Sequence, residues 1–162
     1  MSTQAVGAAA AGTAVIGGGG TLAAYAAGAF DPKVKESKQV QNTYKTLAEE
    51  ELNASKEYIG GSKEKITPLL SGNTVDETYR DTLSGVWSKM DDTELKTKQN
   101  PVSRPDESYV KDTSKSDDVS DYANKWCEHI SEKQLTKIPT DGSDKNTWDA
   151  FKSACFNTKK IS

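Results

Sequence analysis

Apolar and polar positions divide this chain into two unlike parts. Residues 1–30 contain no charged side chain, and residues 5–30 read AVGAAAAGTAVIGGGGTLAAYAAGAF. An uncharged run of that length covers the roughly 20 residues that a helix needs to cross the hydrocarbon core of a bilayer. It predicts an N-terminal transmembrane helix that ends at Asp31-Pro32, because proline disfavours helix in the residue before it. Beyond residue 33 the apolar positions recur with the 3.6-residue period of amphipathic helices. Val40, Tyr44, Leu47 and Ala48, drifting through Leu52 and Ile59, predict a helix over 33–59 that stops at Gly60-Gly61. Lys65-Ile66-Thr67-Pro68-Leu69-Leu70 reads as a connector, and Gly72-Asn73 as a turn.

The strongest helical signal covers 75–90. Val75, Tyr79, Leu83, Val86, Trp87 and Met90 share one face, and Thr74 with Glu77 has the spacing of a capping box. Residues 91–117 are polar and contain Pro101 and Pro105, which predicts a long polar loop and the most mobile part of the chain. Ser116, Asp117 and Asp118 open a second helix whose apolar face is Val119, Tyr122, Ala123, Trp126, Cys127 and Ile130. That helix frays before Pro139, and Thr140-Asp141-Gly142-Ser143 reads as a turn. A third helix is expected over 147–157, with a cap-like Asn146 and Asp149 and with Trp148, Phe151 and Cys155 on one side. The organisation is mainly α: an N-terminal transmembrane helix followed by a small helical bundle with a long polar loop. Its parts are an anchor over 1–32, a helical region over 33–90, a loop or linker over 91–117, a helical hairpin over 118–157 carrying both cysteines, and a tail over 158–162.

Composition qualifies the anchor. Only Val6, Val15, Ile16, Leu22 and Phe30 are strongly apolar in it, and its seven glycines oppose helix in water. Lipid enforces helix regardless, since an unpaired backbone is costly there. Gly20, Ala24 and Gly28 fall at i, i+4 and i+8, a small-residue face on which a partner membrane helix could pack. Two other readings stay open. A cleaved signal peptide fits the A-x-A-like triplets at 24–26 and 27–29 but lacks a basic start. A flexible Ala/Gly tail on a soluble protein is the third reading. Gly18-x-Gly20-x-x-Ala23 mimics a dinucleotide fingerprint, yet no βαβ unit or suitably spaced acid follows it, so no cofactor is expected.

The other 132 residues carry all 45 charged side chains but only 21 Leu, Ile, Val and Phe. That core is thin. Three Trp and five Tyr in the same stretch compensate, because each buries a large area. A net charge of −3, with no basic patch interleaved with aromatics, argues against a nucleic-acid partner. No phosphate loop, nucleophile elbow or paired-histidine zinc motif occurs, so the chain is not expected to be an enzyme. Glu49-Glu50-Glu51 reads as a solvated helix face. Asn53-Ala54-Ser55 is a glycosylation sequon, informative only on a eukaryotic secretory route.

Two cysteines, Cys127 and Cys155, lie on apolar faces of neighbouring helices. Antiparallel packing would bring them together, and a disulfide closing about 28 residues would add roughly 3–4 kcal/mol. Buried free thiols are an alternative. A metal or catalytic role is another, but Cys127-Glu128-His129 supplies half a zinc site at best, and a Cys–His pair at i, i+2 faces two ways. His129, the only histidine, reads as an exposed helical residue.

The layout resembles the paralogous, uncharacterised membrane-anchored proteins of hemotropic mycoplasmas. The resemblance lies in the uncharged Ala/Gly-rich start, the charged middle, and the C-terminal segments Tyr122-Ala123-Asn124-Lys125-Trp126-Cys127 and Trp148-Asp149-Ala150-Phe151-Lys152-Ser153-Ala154-Cys155. It implies a single-pass protein of the cell membrane with its soluble domain outside. It also implies a role toward a host protein or in antigenic variation. The alternative is an intracellular membrane-tethered accessory or scaffold protein. Lys33, Lys35 and Lys38 follow the anchor and none precedes it, which by the positive-inside rule favours that alternative, whereas paired cysteines favour the outside.

Overall fold

The apolar stripe Val119–Ile130 becomes part of the longest helix of the described body. In the computed structural model, which describes residues 42–52 and 55–159, Val119, Tyr122, Ala123, Trp126, Cys127 and Ile130 are all buried along one helix. It is α5 (Ser116–Ser131), with Asp117 and Asp118 in its first turn, where carboxylates suit the positive end of the helix dipole. The other helices are α1 (Tyr44–Leu52), α2 (Lys63–Leu70), α3 (Glu77–Val86), α4 (Thr93–Lys96) and α6 (Gly142–Ala154). α2 packs along α5, and α3 packs along α6, around one continuous core. The described body is a small, mainly helical bundle, as the periodicity predicts. The expected anchor, with its Gly20/Ala24/Gly28 face, and the sequon residue Asn53 lie outside the described residues. Among the described residues, no helix is long and apolar enough to cross a membrane.

Several local expectations change. The segment taken as a connector is α2, which buries Ile66, Leu69 and Leu70 and carries Pro68 inside the helix. The helical spacing was present in the sequence, but a proline in a helix interior costs about 3 kcal/mol and argued against it. Burial of three large apolar side chains, about 1.5–3 kcal/mol each, outweighs that cost. The capping box does not form. Residues Gly72–Thr74 make a 3-10 turn, and the Thr74 hydroxyl donates to the Pro68 carbonyl at 3.0 Å. The cap of α3 is Asp76, whose carboxylate accepts from the Tyr79 N–H at 3.0 Å. The predicted face survives with Tyr79, Leu83, Trp87 and Met90 buried.

The helix expected to reach residue 59 ends at Leu52. A short strand, β1 (Lys56–Tyr58), follows and pairs antiparallel with β2 (Phe156–Thr158), in the register Lys56 to Thr158 and Tyr58 to Phe156. β2 occupies residues taken for a helix end and a frayed tail. α6 starts five residues earlier than expected, at Gly142, where φ is +71°, a backbone conformation that glycine adopts without strain.

The polar segment 91–117 is not one long loop. It contains α4 and two 3-10 turns, Glu107–Lys111 and Thr113–Lys115, and it buries Leu95 and Val110. Its carbonyls and side chains are tied to the helices. The Trp87 indole N–H donates to the Pro105 carbonyl at 2.9 Å and the Trp126 indole N–H to the Asp91 carbonyl at 3.0 Å, while the Tyr122 hydroxyl donates to the Met90 carbonyl, just before the segment, at 2.6 Å. The two tryptophans thus bury their rings and spend their one polar atom holding this strap.

Candidate functional site

The chemistry-bearing residues of the described body gather in two places, the cysteine pair and a polar cleft beside His129. The cysteines come from different elements. Cys127 lies on the inner face of α5, and Cys155 caps the C-terminus of α6 just before β2. The two are joined as a disulfide, with Cα atoms 5.6 Å apart and both residues fully buried. The turn after β1 covers the bond. The N–H groups of Ile59 and Gly60 both donate to the Cys155 carbonyl, at 2.9 and 3.2 Å, and the Tyr58 hydroxyl donates to the Cys127 carbonyl at 3.2 Å. Gly60 is there for space. A Cβ built on it would lie 2.5 Å from Cys127 Cβ and 2.7 Å from the Tyr58 oxygen. The aromatic rings of Tyr58, Phe151 and Phe156 pack edge to face or tilted around this corner.

Bonded sulfurs in an apolar, closed environment are neither nucleophiles nor metal ligands. Among the described residues, no group of three or more His, Cys, Asp or Glu side chains could hold a metal ion. His129 also points away from Cys127. Its Nε2 lies 2.9 Å from Glu94 Oε2, and its side chain is only 15% exposed, not the exposed helical residue that the sequence suggested.

Glu94, on α4, also accepts from the ammonium of Lys133, one turn beyond His129. These hydrogen bonds, from Lys133 first and His129 second, hold the Glu94 carboxyl below the ordinary carboxylate range. They close one side of a cleft of about 490 Å³ whose lining includes Tyr44, Asp91, Trp126, Asp144 and Thr147. Burial, and then the negative charge of Asp144, raise the phenol of Tyr44. Hydrogen bonds from Thr93 keep Asp91 low. The cleft is therefore anionic. Two of its hydroxyls are already committed: Thr93 donates to Asp91 at 2.6 Å, and Thr147 to the Ser143 carbonyl at 3.2 Å. The hydrogen bond given for the His129 ring goes to the Glu94 carboxylate.

The sequence pattern singled out Cys127 and Cys155, and the structure brings them together. It singled out Gly20, Ala24 and Gly28, which are outside the described residues. It missed the Glu94–His129–Lys133 cluster. The i, i+4 spacing of His129 and Lys133 was legible, but their acidic partner sits 35 residues before His129 on a helix of only four residues. No family model, curated protein or solved structure matches the chain.

Proposed function

We propose that the chain is a single-pass, membrane-anchored protein whose folded body is displayed outside the cell and works by binding a host protein or by presenting antigenic variety, not by catalysis. The observation that carries this reading is the fully buried Cys127–Cys155 disulfide. Structural disulfides form and persist in oxidising, extracytoplasmic surroundings. The uncharged run over 5–30 supplies the anchor, and its Gly20/Ala24/Gly28 face supports a membrane-helix partner. The resemblance to hemotropic mycoplasma proteins supplies the host-facing role. A surface richer in carboxylates than in lysines supports a partner other than nucleic acid.

Lys33, Lys35 and Lys38 favour a second reading, an intracellular membrane-tethered accessory or scaffold protein. Adding an impermeant protease to intact cells, then blotting for the C-terminal region, separates the two. Residues 96–101 are all exposed and include Lys96 and Lys98, so a displayed body is expected to be cut there. Protection in intact cells that disappears on lysis, together with reduced cysteines, would establish the intracellular reading instead.

A further inference from the structure

We propose that residues 133–140 form the face of the folded body that rests on the lipid surface, with Ile138 entering the headgroup region and Lys137 beside anionic headgroups. This rests on the reading of residues 5–30 as a membrane anchor. The first support is where the chain enters the body. The Tyr44 N–H donates to the Lys133 carbonyl at 3.0 Å, the Leu135 N–H donates to the Asn42 carbonyl at 2.9 Å, and Thr43 bridges to Gln134. The polypeptide arriving from the anchor is thus stitched to this stretch. Residues 31–41 separate the two, and fully extended they reach no more than about 40 Å. A tether that short holds the body at an effective concentration on the order of millimolar, so a contact too weak to form from solution is populated.

The second support is the chemistry of the stretch. Ile138, 44% exposed, is the exposed large apolar residue of the described body. Residues 133–140, KQLTKIPT, hold two lysines and no carboxylate, whereas residues 42–159 together have 17 Lys and Arg against 22 Asp and Glu. Lys133 is held by Glu94 at the anionic cleft, so the cation offered to the surface is Lys137, which forms no ion pair with a described residue. Glu132 and Asp141 bracket the stretch, and Asp91, Glu94 and Asp144 line the neighbouring cleft, so the attraction is local and depends on the tether. An exposed aliphatic residue beside a lysine matches an interface whose outer layer is anionic and whose inner layer is apolar.

The test uses the full chain in phosphatidylcholine vesicles containing a minority of phosphatidylglycerol and a lipid-borne quencher. Because both native cysteines are in the disulfide, a single introduced cysteine takes the fluorophore alone. Thr140→Cys labels the proposed face. Asp118→Cys labels the exposed first turn of α5, at the end of that helix away from residue 131, and its 16 residues span about 24 Å. The expected result is flotation with the vesicles, quenching several-fold stronger at 140 than at 118, and loss of that excess when Ile138→Glu is added. Flotation with equal quenching at both sites overturns this proposal and leaves the anchor standing. A chain that stays in the aqueous fraction overturns the anchor and this face together.

Discussion

Arg80 and Arg104 hold the same strap from opposite directions. Arg80, on α3, donates through Nε to the Val110 carbonyl at 3.4 Å and through Nη2 to the Lys111 carbonyl. Arg104, on the strap, places Nη1 3.1 Å from the carbonyl of Trp87 and 3.0 Å from those of Ser88 and Met90, where α3 runs out in a 3-10 turn. These are the only arginines in a chain of 21 cationic residues. A planar guanidinium with five donors can serve several carbonyls at once, which a lysine ammonium on a flexible stem does less well. Helix ends leave carbonyls unpaired, so Arg104 satisfies a standing need.

Arg104→Ala is therefore expected to lower unfolding stability by about 2–3 kcal/mol, the cost of losing charged hydrogen bonds to part-buried carbonyls. Arg104→Lys should recover only part of it. Lys98→Ala, at an exposed position in the same segment, should stay within about 0.5 kcal/mol. Urea titrations followed by tryptophan fluorescence measure all three. An Arg104→Ala midpoint equal to that of Lys98→Ala would mean that the strap is held by other contacts.

The disulfide closes a loop of 28 residues. Restricting the unfolded chain by that loop is worth roughly 3–4 kcal/mol. Replacing both cysteines by alanine should remove about that much. The wild type unfolded in the presence of a strong thiol reductant should show the same loss once the bond is open. A double variant as stable as the oxidised protein would refute the account.

Two glycines are expected to respond in opposite ways to the same substitution. Gly60→Ala drives a Cβ into Cys127 and Tyr58, and overpacking of this kind costs about 1–3 kcal/mol. Gly85, exposed on α3, has nothing within 4 Å of its would-be Cβ. Gly85→Ala should gain about 0.5–1 kcal/mol from helix propensity alone. The difference between their thermal midpoints is the measurement, and matching shifts of one sign would contradict the packing around the disulfide.

Stability should fall with acid in part through Glu94. Its carboxyl ionises more readily in the folded protein than its ordinary value of 4.5, because Lys133 and then His129 hydrogen-bond to it. A carboxyl with a lowered folded pKa contributes stability above its unfolded value and loses it as pH drops through the folded value. The Glu94 side chain is 61% exposed, so the contribution is small and screened by salt. Glu94→Gln should flatten the stability profile below about pH 4.5 and leave the rest unchanged. Denaturation midpoints at stepped pH, at low and high salt, give the answer. A profile with an unaltered acid limb would detach Glu94 from it.

The parts of the fold written in long apolar periods were legible. The stripes of α3 and α5 follow directly from Tyr79, Leu83 and Trp87 and from Val119, Tyr122 and Trp126. What could not be read depends on partners far away in sequence. β1 and β2 are three residues each, too short for alternation to register, and they exist because Lys56 meets Thr158. α2 was hidden by Pro68, and only its burial against α5 outweighs that residue. The strap looked like solvent-exposed chain because its anchoring atoms are backbone carbonyls, which no residue pattern records. At the cysteines, spacing carried no sign that Gly60 packs closely against Cys127. His129 was misjudged for the same reason, since the Glu94 side chain that faces it lies on another helix.

The disulfide also decides what a broken chain looks like. A single cut in the connection between α5 and α6, residues 132–141, falls between Cys127 and Cys155. The two fragments stay covalently joined, so the nicked protein migrates as one species until a thiol is added. A cut at residues 96–101 lies outside that loop and frees two separate chains on denaturation alone. Electrophoresis with and without reductant therefore maps the position of a nick without sequencing either product.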